Sequence, residues 1–165
     1  MPSFRAYLPH GLRLLFASTV VSGAAQAQSL NLENADLARG YFSSCAKVAN
    51  GVASDQLSSA KETCKSAMDD IAGLFGAYSD HSPMDLNVLA IYSGASAYVV
   101  VALDMQLNTN RLSADGCNHV FHVEKMYDSL TDGTSDEVMD VLRPNAETAK
   151  EHLIPWCRNT YGSEK

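Results

Sequence analysis

The sequence is short of positive charge. Only 12 lysines and arginines face 19 aspartates and glutamates over 165 residues, a formal net charge of -7. A nucleic-acid binder needs a basic face for the phosphates, and a protein held on anionic lipid needs basic clusters. Neither class fits. With 46% hydrophobic residues, disorder and collagen-like repetition do not fit either. Catalytic and phosphate-binding signatures are missing too: there is no glycine-rich phosphate loop, no Gly-x-Ser-x-Gly elbow and no His-Glu-x-x-His. No internal repeat or low-complexity segment is present.

Residues 1–27 have the form of a secretory signal. Arg5, His10 and Arg13 make a basic start, and a short apolar run from Leu14 to Ala25 follows. Ala25-Gln26-Ala27 is the small-x-small pattern that a signal peptidase accepts, which places cleavage before Gln28. That leaves residues 28–165 as a single domain. Its length is enough to bury roughly 68% of the unfolded surface.

All four cysteines, Cys45, Cys64, Cys117 and Cys157, lie beyond that segment. An even count in an exported chain implies two disulfides with three connectivities open. Cys45 and Cys64 flank the turn-like stretch Asn50 to Asp55, and Cys117 and Cys157 flank a second pair of helical segments. Spacing therefore favours 45–64 with 117–157.

The periodicity is helical. Leu57, Ala60, Cys64, Ala67, Ile71, Leu74 and Tyr78 step by three and four, which predicts a helix over 56–78 capped by Ser54 or Asp55. Leu37, Tyr41, Cys45 and Val48 predict another near 34–49, closed by Gly51. Leu86 to Leu103 carries no charge, which suits a membrane span by length. The internal Asn87, Tyr92, Ser93 and Ser96 and the lack of basic flanks favour a buried central helix over 84–107, with a strand at Tyr98–Val101 as the lesser alternative. Residues 108–116 have loop composition. Asn118 is expected to cap a helix carrying Val120, Val123, Met126, Tyr127 and Leu130, stopped by Asp132-Gly133. Thr134 to Glu137 forms a capping box. A last apolar face runs through Ala146, Ala149 and Leu153 to Pro155, and a polar, frayed tail follows Cys157. The fold class expected is all-α, a disulfide-stapled bundle of about five to six helices.

Two clusters invite a chemical reading. Cys117-x-His119-x-x-His122 has metal-like spacing, but exported cysteines pair and a fourth ligand is missing, so no metal and no cofactor is expected. No catalytic residue is assigned, and His81 and His152 are expected at the surface. Asp128, Asp132, Asp136, Glu137 and Asp140 form an acidic run with no base among them. It suits docking of a basic protein partner, or else a solvated turn.

Four short elements resemble the Rap/Tai family of periplasmic immunity proteins against type VI secretion amidase effectors. They are Gly40-Tyr41-Phe42-Ser43-Ser44-Cys45, Ile91-Tyr92-Ser93-Gly94, Cys117 with Met126-Tyr127 behind it, and Ala149 through Leu153-Ile154-Pro155-Trp156-Cys157. The pattern departs from the family at Cys64, at Asn118, at Trp156 between Pro155 and Cys157, and where no cysteine precedes Tyr92. The resemblance implies a non-enzymatic periplasmic or secreted protein that binds and inhibits a peptidoglycan amidase. Its partner would be a protein, such as a cell-wall amidase, with no nucleic acid and no membrane span after signal cleavage. A periplasmic helical chaperone or envelope assembly module is the alternative, with a metal-binding protein or enzyme using His119 and His122 behind it.

Overall fold

The computed structural model describes residues 32–77, 83–130, 143 and 145–162. Among them there are five α-helices and no strand. They are α1 (Leu32–Ala49), α2 (Leu57–Ala77), α3 (Pro83–Leu107), α4 (Ala114–Asp128) and α5 (Ile154–Tyr161). The secretory signal of residues 1–27, Tyr78, His81 and the Thr134 capping box lie outside the described residues.

Helix α3 organises the bundle because it is apolar nearly all round, and such a helix must bury more than one face. On one side Leu89, Val99, Val100 and Leu103 pack with Ala38, Phe42 and Cys45 of α1 and with Leu57, Ala60, Ala67 and Ile71 of α2. The Phe42 ring lies 5.8 Å from that of Tyr92. On the other side Ala97, Val101 and Met105 pack with Val120, Phe121 and Val123 of α4 and with Leu153, Ile154 and Cys157 near the C-terminus. By length and composition α3 could also cross a membrane. The strand alternative at Tyr98–Val101 falls because those residues are helical.

Each half carries one disulfide. Cys45 of α1 is bonded to Cys64 of α2, with Cα atoms 4.5 Å apart, and Cys117 of α4 to Cys157 of α5, at 5.6 Å. Both lie within the reach that disulfide geometry demands. They suit an oxidising, extracytoplasmic compartment.

The boundaries correct several expectations. The seam of α1 is Ala38, Phe42 and Cys45, so Leu37 and Val48 fall outside it, 41% and 39% exposed. Ahead of α2 runs a 3-10 turn over Ser54–Gln56, and the residue before that turn, Ala53, makes no side-chain cap. Gly51 does close α1, at φ +72°, a conformation that glycine adopts freely. Helix α4 starts at Ala114 rather than after Asn118, because Ser113 is its cap, and it ends at Asp128 before Leu130. Pro155 ends nothing: a π turn over Ala149–Leu153 runs straight into α5. Proline's ring would strike the carbonyl four residues back. The wider turn, in which the Ile154 N–H reaches back to the Ala149 carbonyl, makes room for it. Nor is the chain after Cys157 frayed up to residue 161. Tyr161 donates its hydroxyl to the Leu112 carbonyl at 3.0 Å and meets the Trp156 ring edge-on.

Candidate functional site

Among the described residues a dense polar cluster lies where α2, α3 and α4 meet. Asp104 stands near the end of α3, 1% exposed. Its carboxylate accepts from Lys61 Nζ at 2.6 Å, from the Ser113 backbone N–H at 2.7 Å and from Ser113 Oγ at 2.8 Å. Ser113 Oγ in turn accepts from the Gly116 N–H at 3.0 Å, which caps α4. A Cβ at position 116 would overlap the Asp104 carboxylate, so only glycine fits there. A buried carboxylate is costly unless it is paired and hydrogen-bonded, and three donors, one of them cationic, meet that need here.

Asp115 completes the cluster at its rim. Its Oδ2 lies 2.9 Å from Lys61 and 3.5 Å from Lys65, and its Oδ1 lies 3.7 Å from His119 Nε2. Burial works against the Lys61 ammonium, yet the hydrogen bonds to Asp104 and Asp115 outweigh it and set its pKa above the ordinary lysine value. Burial likewise disfavours the Asp115 charge, but the Lys61 hydrogen bond and the nearby cations hold its pKa below the ordinary range. His119 goes the other way. It is 7% exposed, its Nε2 has no hydrogen bond, and burial lowers its pKa more than Asp115 raises it.

A second contact joins α3 to α4: Ser93 Oγ and His122 Nε2 are 2.8 Å apart. That is nucleophile-to-base distance. Ser93, however, is 1% exposed, so the hydroxyl faces packed side chains and the pair works as a polar clamp between helices. Cys117, His119 and His122 are not brought together. Cys117 is spent in its disulfide, His119 leans on Asp115 and His122 on Ser93. Among the described residues no group of three or more potential ligands could hold a metal ion. His152 is half-buried and lies 4.0 Å from Glu151.

Of the acidic run, Asp128 alone is described; Asp132, Asp136, Glu137 and Asp140 lie outside the described residues. Asp128 sits at the C-terminal end of α4, where the helix dipole disfavours an anion. Lys150 offsets this: it pairs with Asp128, and its ammonium lies 5.2 Å from the centre of the Tyr127 ring. An exposed pair of this kind contributes ~0–1 kcal/mol. A small apolar cleft between α3 and α4 is lined by Ala90, Gly94, Met126 and Ala146 and holds about 30 Å³, room for one or two waters.

Sequence reasoning missed the Asp104 cluster because its members come from three helices. Asp104 and Ser113, nine residues apart, read as the flank of one helix and part of a loop. The signal available was Ser113 followed three residues on by a glycine. No family model, no curated protein and no solved structure matches the chain.

Proposed function

We propose that the chain is an exported, non-enzymatic protein-binding module, an immunity protein that binds and inhibits a peptidoglycan amidase in the periplasm. The observation that carries this reading is the small all-helical fold with all four cysteines committed to two staples, a build suited to an oxidising compartment. The elements that resemble the immunity family support it. Gly40 to Cys45 lies on α1, Ile91 to Gly94 on α3, Cys117 on α4 and Ile154 to Cys157 on α5. The central polar groups are engaged in holding helices together, which leaves loops and helix ends as the surfaces for a partner. With a formal charge of -7, the chain suits a basic enzyme whose encounter it would steer.

The test is to mix oxidised residues 28–165 with a Cys–His amidase encoded beside the gene and to follow peptidoglycan cleavage and binding heat together. The expected result is inhibition at a one-to-one molar ratio, with association that slows as salt shortens the Debye length below ~8–10 Å. Charge reversal at Asp132 and Asp136 should slow association further if the acidic run is the contact. Full amidase activity at a large excess of the protein would overturn the reading.

A further inference from the structure

The turn between α1 and α2 holds the parts of a reaction that the chain can carry out on itself. Of the chain's asparagines, Asn50 alone is followed by glycine. The order matters because the backbone nitrogen of the next residue is the nucleophile closest to an asparagine side-chain amide. A Cβ on that next residue hinders closure of the five-membered ring, and glycine has none. Folding suppresses such closure when it ties up the nitrogen or buries the amide. This turn does neither. Helix α1 stops at Ala49, and the Asn50 N–H makes the last bond of its ladder, to the Ala46 carbonyl at 3.1 Å. Gly51 lies past the helix at φ +72°, and its N–H has no hydrogen bond among the described residues. The Asn50 side chain is exposed and likewise makes no hydrogen bond among the described residues. No atom lies within 4 Å of where a Gly51 Cβ would stand, so the ring has room.

Asp115–Gly116 shows the opposite arrangement. There the Gly116 N–H donates to Ser113 Oγ at 3.0 Å, and the Asp115 carboxylate is paired with Lys61 and Lys65. A charged carboxylate resists a nucleophile, and a nitrogen held at the start of a helix cannot turn onto it. One such step is guarded by its surroundings and the other, at Asn50, stands open.

We infer that Asn50 is a self-modification site at which the folded protein deamidates. The Gly51 nitrogen loses its proton to solvent base and attacks Asn50 Cγ. The new N–C bond closes a succinimide, the Cγ–Nδ2 bond breaks, and Nδ2 leaves as ammonia with a proton from water. Water then opens the ring. Opening at Cγ leaves aspartate; opening at the main-chain carbonyl leaves isoaspartate, in which the main chain runs through Cβ and Cγ. One water is consumed, one ammonia is released and nothing is oxidised or reduced. Either product adds a negative charge at the C-terminal end of α1, where the helix dipole disfavours an anion, beside a turn that Cys45–Cys64 keeps closed. The inference stands independently of the amidase reading, since it rests on this turn alone.

Ageing oxidised residues 28–165 across mildly alkaline pH tests it, with ion exchange to count charge and peptide mapping to locate the change. A more acidic species should accumulate, carrying aspartate and isoaspartate at position 50. Its rate should rise about tenfold per pH unit, as the anionic fraction of a group far below its pKa does. Because the turn guards neither reactant, the folded rate should stay within about tenfold of that of the reduced, denatured chain; a larger gap would mean that reaction waits for local unfolding. Asn50→Gln must close a less favoured six-membered ring. That variant should keep the wild-type thermal midpoint, as exposed substitutions do, and form the acidic species far more slowly. Folding that protects Asn50 by more than that tenfold margin overturns the inference. So does an acidic species that Asn50→Gln still forms at the wild-type rate.

Discussion

Two glycines in similar helical surroundings should respond in opposite ways to the same substitution. Gly116 lies against the Asp104 carboxylate and near Leu112. Gly116→Ala should therefore push the buried carboxylate off Lys61 and Ser113 and destabilise the fold by ~1–3 kcal/mol in urea melts. Gly73 has open space where its Cβ would be, so Gly73→Ala should stabilise by ~0.5–1 kcal/mol. Equal responses would mean that the Asp104 cluster yields easily. His119 gives the cluster a pH dependence. Its folded pKa lies below its ordinary 6.5 because burial disfavours the cation, with Asp115 opposing burial and Lys65 and Lys61 adding to it. The unfolded chain thus takes up the proton first. Stability should fall as pH drops below about 6.5 and level off once the folded histidine also charges. Asp115 acts in a separate window: its lowered pKa contributes stability above its ordinary 3.8 that is lost in stronger acid. His119→Leu should flatten the slope between pH 7 and 5 while the loss below pH 4 remains, as read by thermal midpoints across pH. An unchanged slope between 7 and 5 would assign it to another group.

The helices differ in how plainly their sequences announce them, and the physical reasons are specific. Helix α2 was legible almost to the residue, because Leu57, Ala60, Cys64, Ala67 and Ile71 repeat at helical spacing and all are buried. The centrality of α3 was legible from its length and lack of charge. On α1 the pattern misled: Leu37 and Val48 are apolar at helical spacing, yet the core takes the neighbouring seam through Ala38 and Phe42. A stripe of small and aromatic residues beside a stripe of aliphatic ones leaves two readings, and tertiary packing selects between them. The start of α4 was hidden because its cap is completed by Asp104 on another helix, a contact that no local window contains. At Pro155 the rule that proline ends a helix failed, because a π turn relieves the clash. Of the candidate contact acids, Asp128 has a cationic partner in Lys150. The staples, whose pairing the spacing favoured, should matter most in the half with fewest other ties. Helix α5 is short and joins α4 through Cys117–Cys157. Replacing both of these cysteines with alanine should cost ~2–4 kcal/mol and loosen the Tyr161–Leu112 hydrogen bond, seen as faster hydrogen exchange over 154–161. Unchanged exchange there would show that packing alone holds α5.

Two apolar clusters share one helix, and that sharing should make the molecule unfold as one unit. Leu89 and Val100 of α3 belong to the cluster with α1 and α2, while Ala97 and Val101 belong to the one with α4 and α5. Unfolding either cluster strips one face of α3 and leaves an apolar helix half uncovered. The single tryptophan, Trp156, packs against the second cluster and reports on that half alone. Helix content, dominated by α1, α2 and α3, reports chiefly on the other. Trp156 fluorescence and far-ultraviolet circular dichroism should therefore trace coincident transitions in urea. Leu89→Ala tests the coupling directly. Leu89 is 1% exposed in the first cluster, and truncating a buried leucine costs ~2–5 kcal/mol through lost burial and the cavity left behind. If α3 transmits that loss, the Trp156 transition moves to lower urea by the same free energy as the circular dichroism transition, although the mutation lies in the other cluster. A Trp156 transition that stays in place while the helix signal shifts would instead divide the bundle into two independently stable halves, each held by its own disulfide.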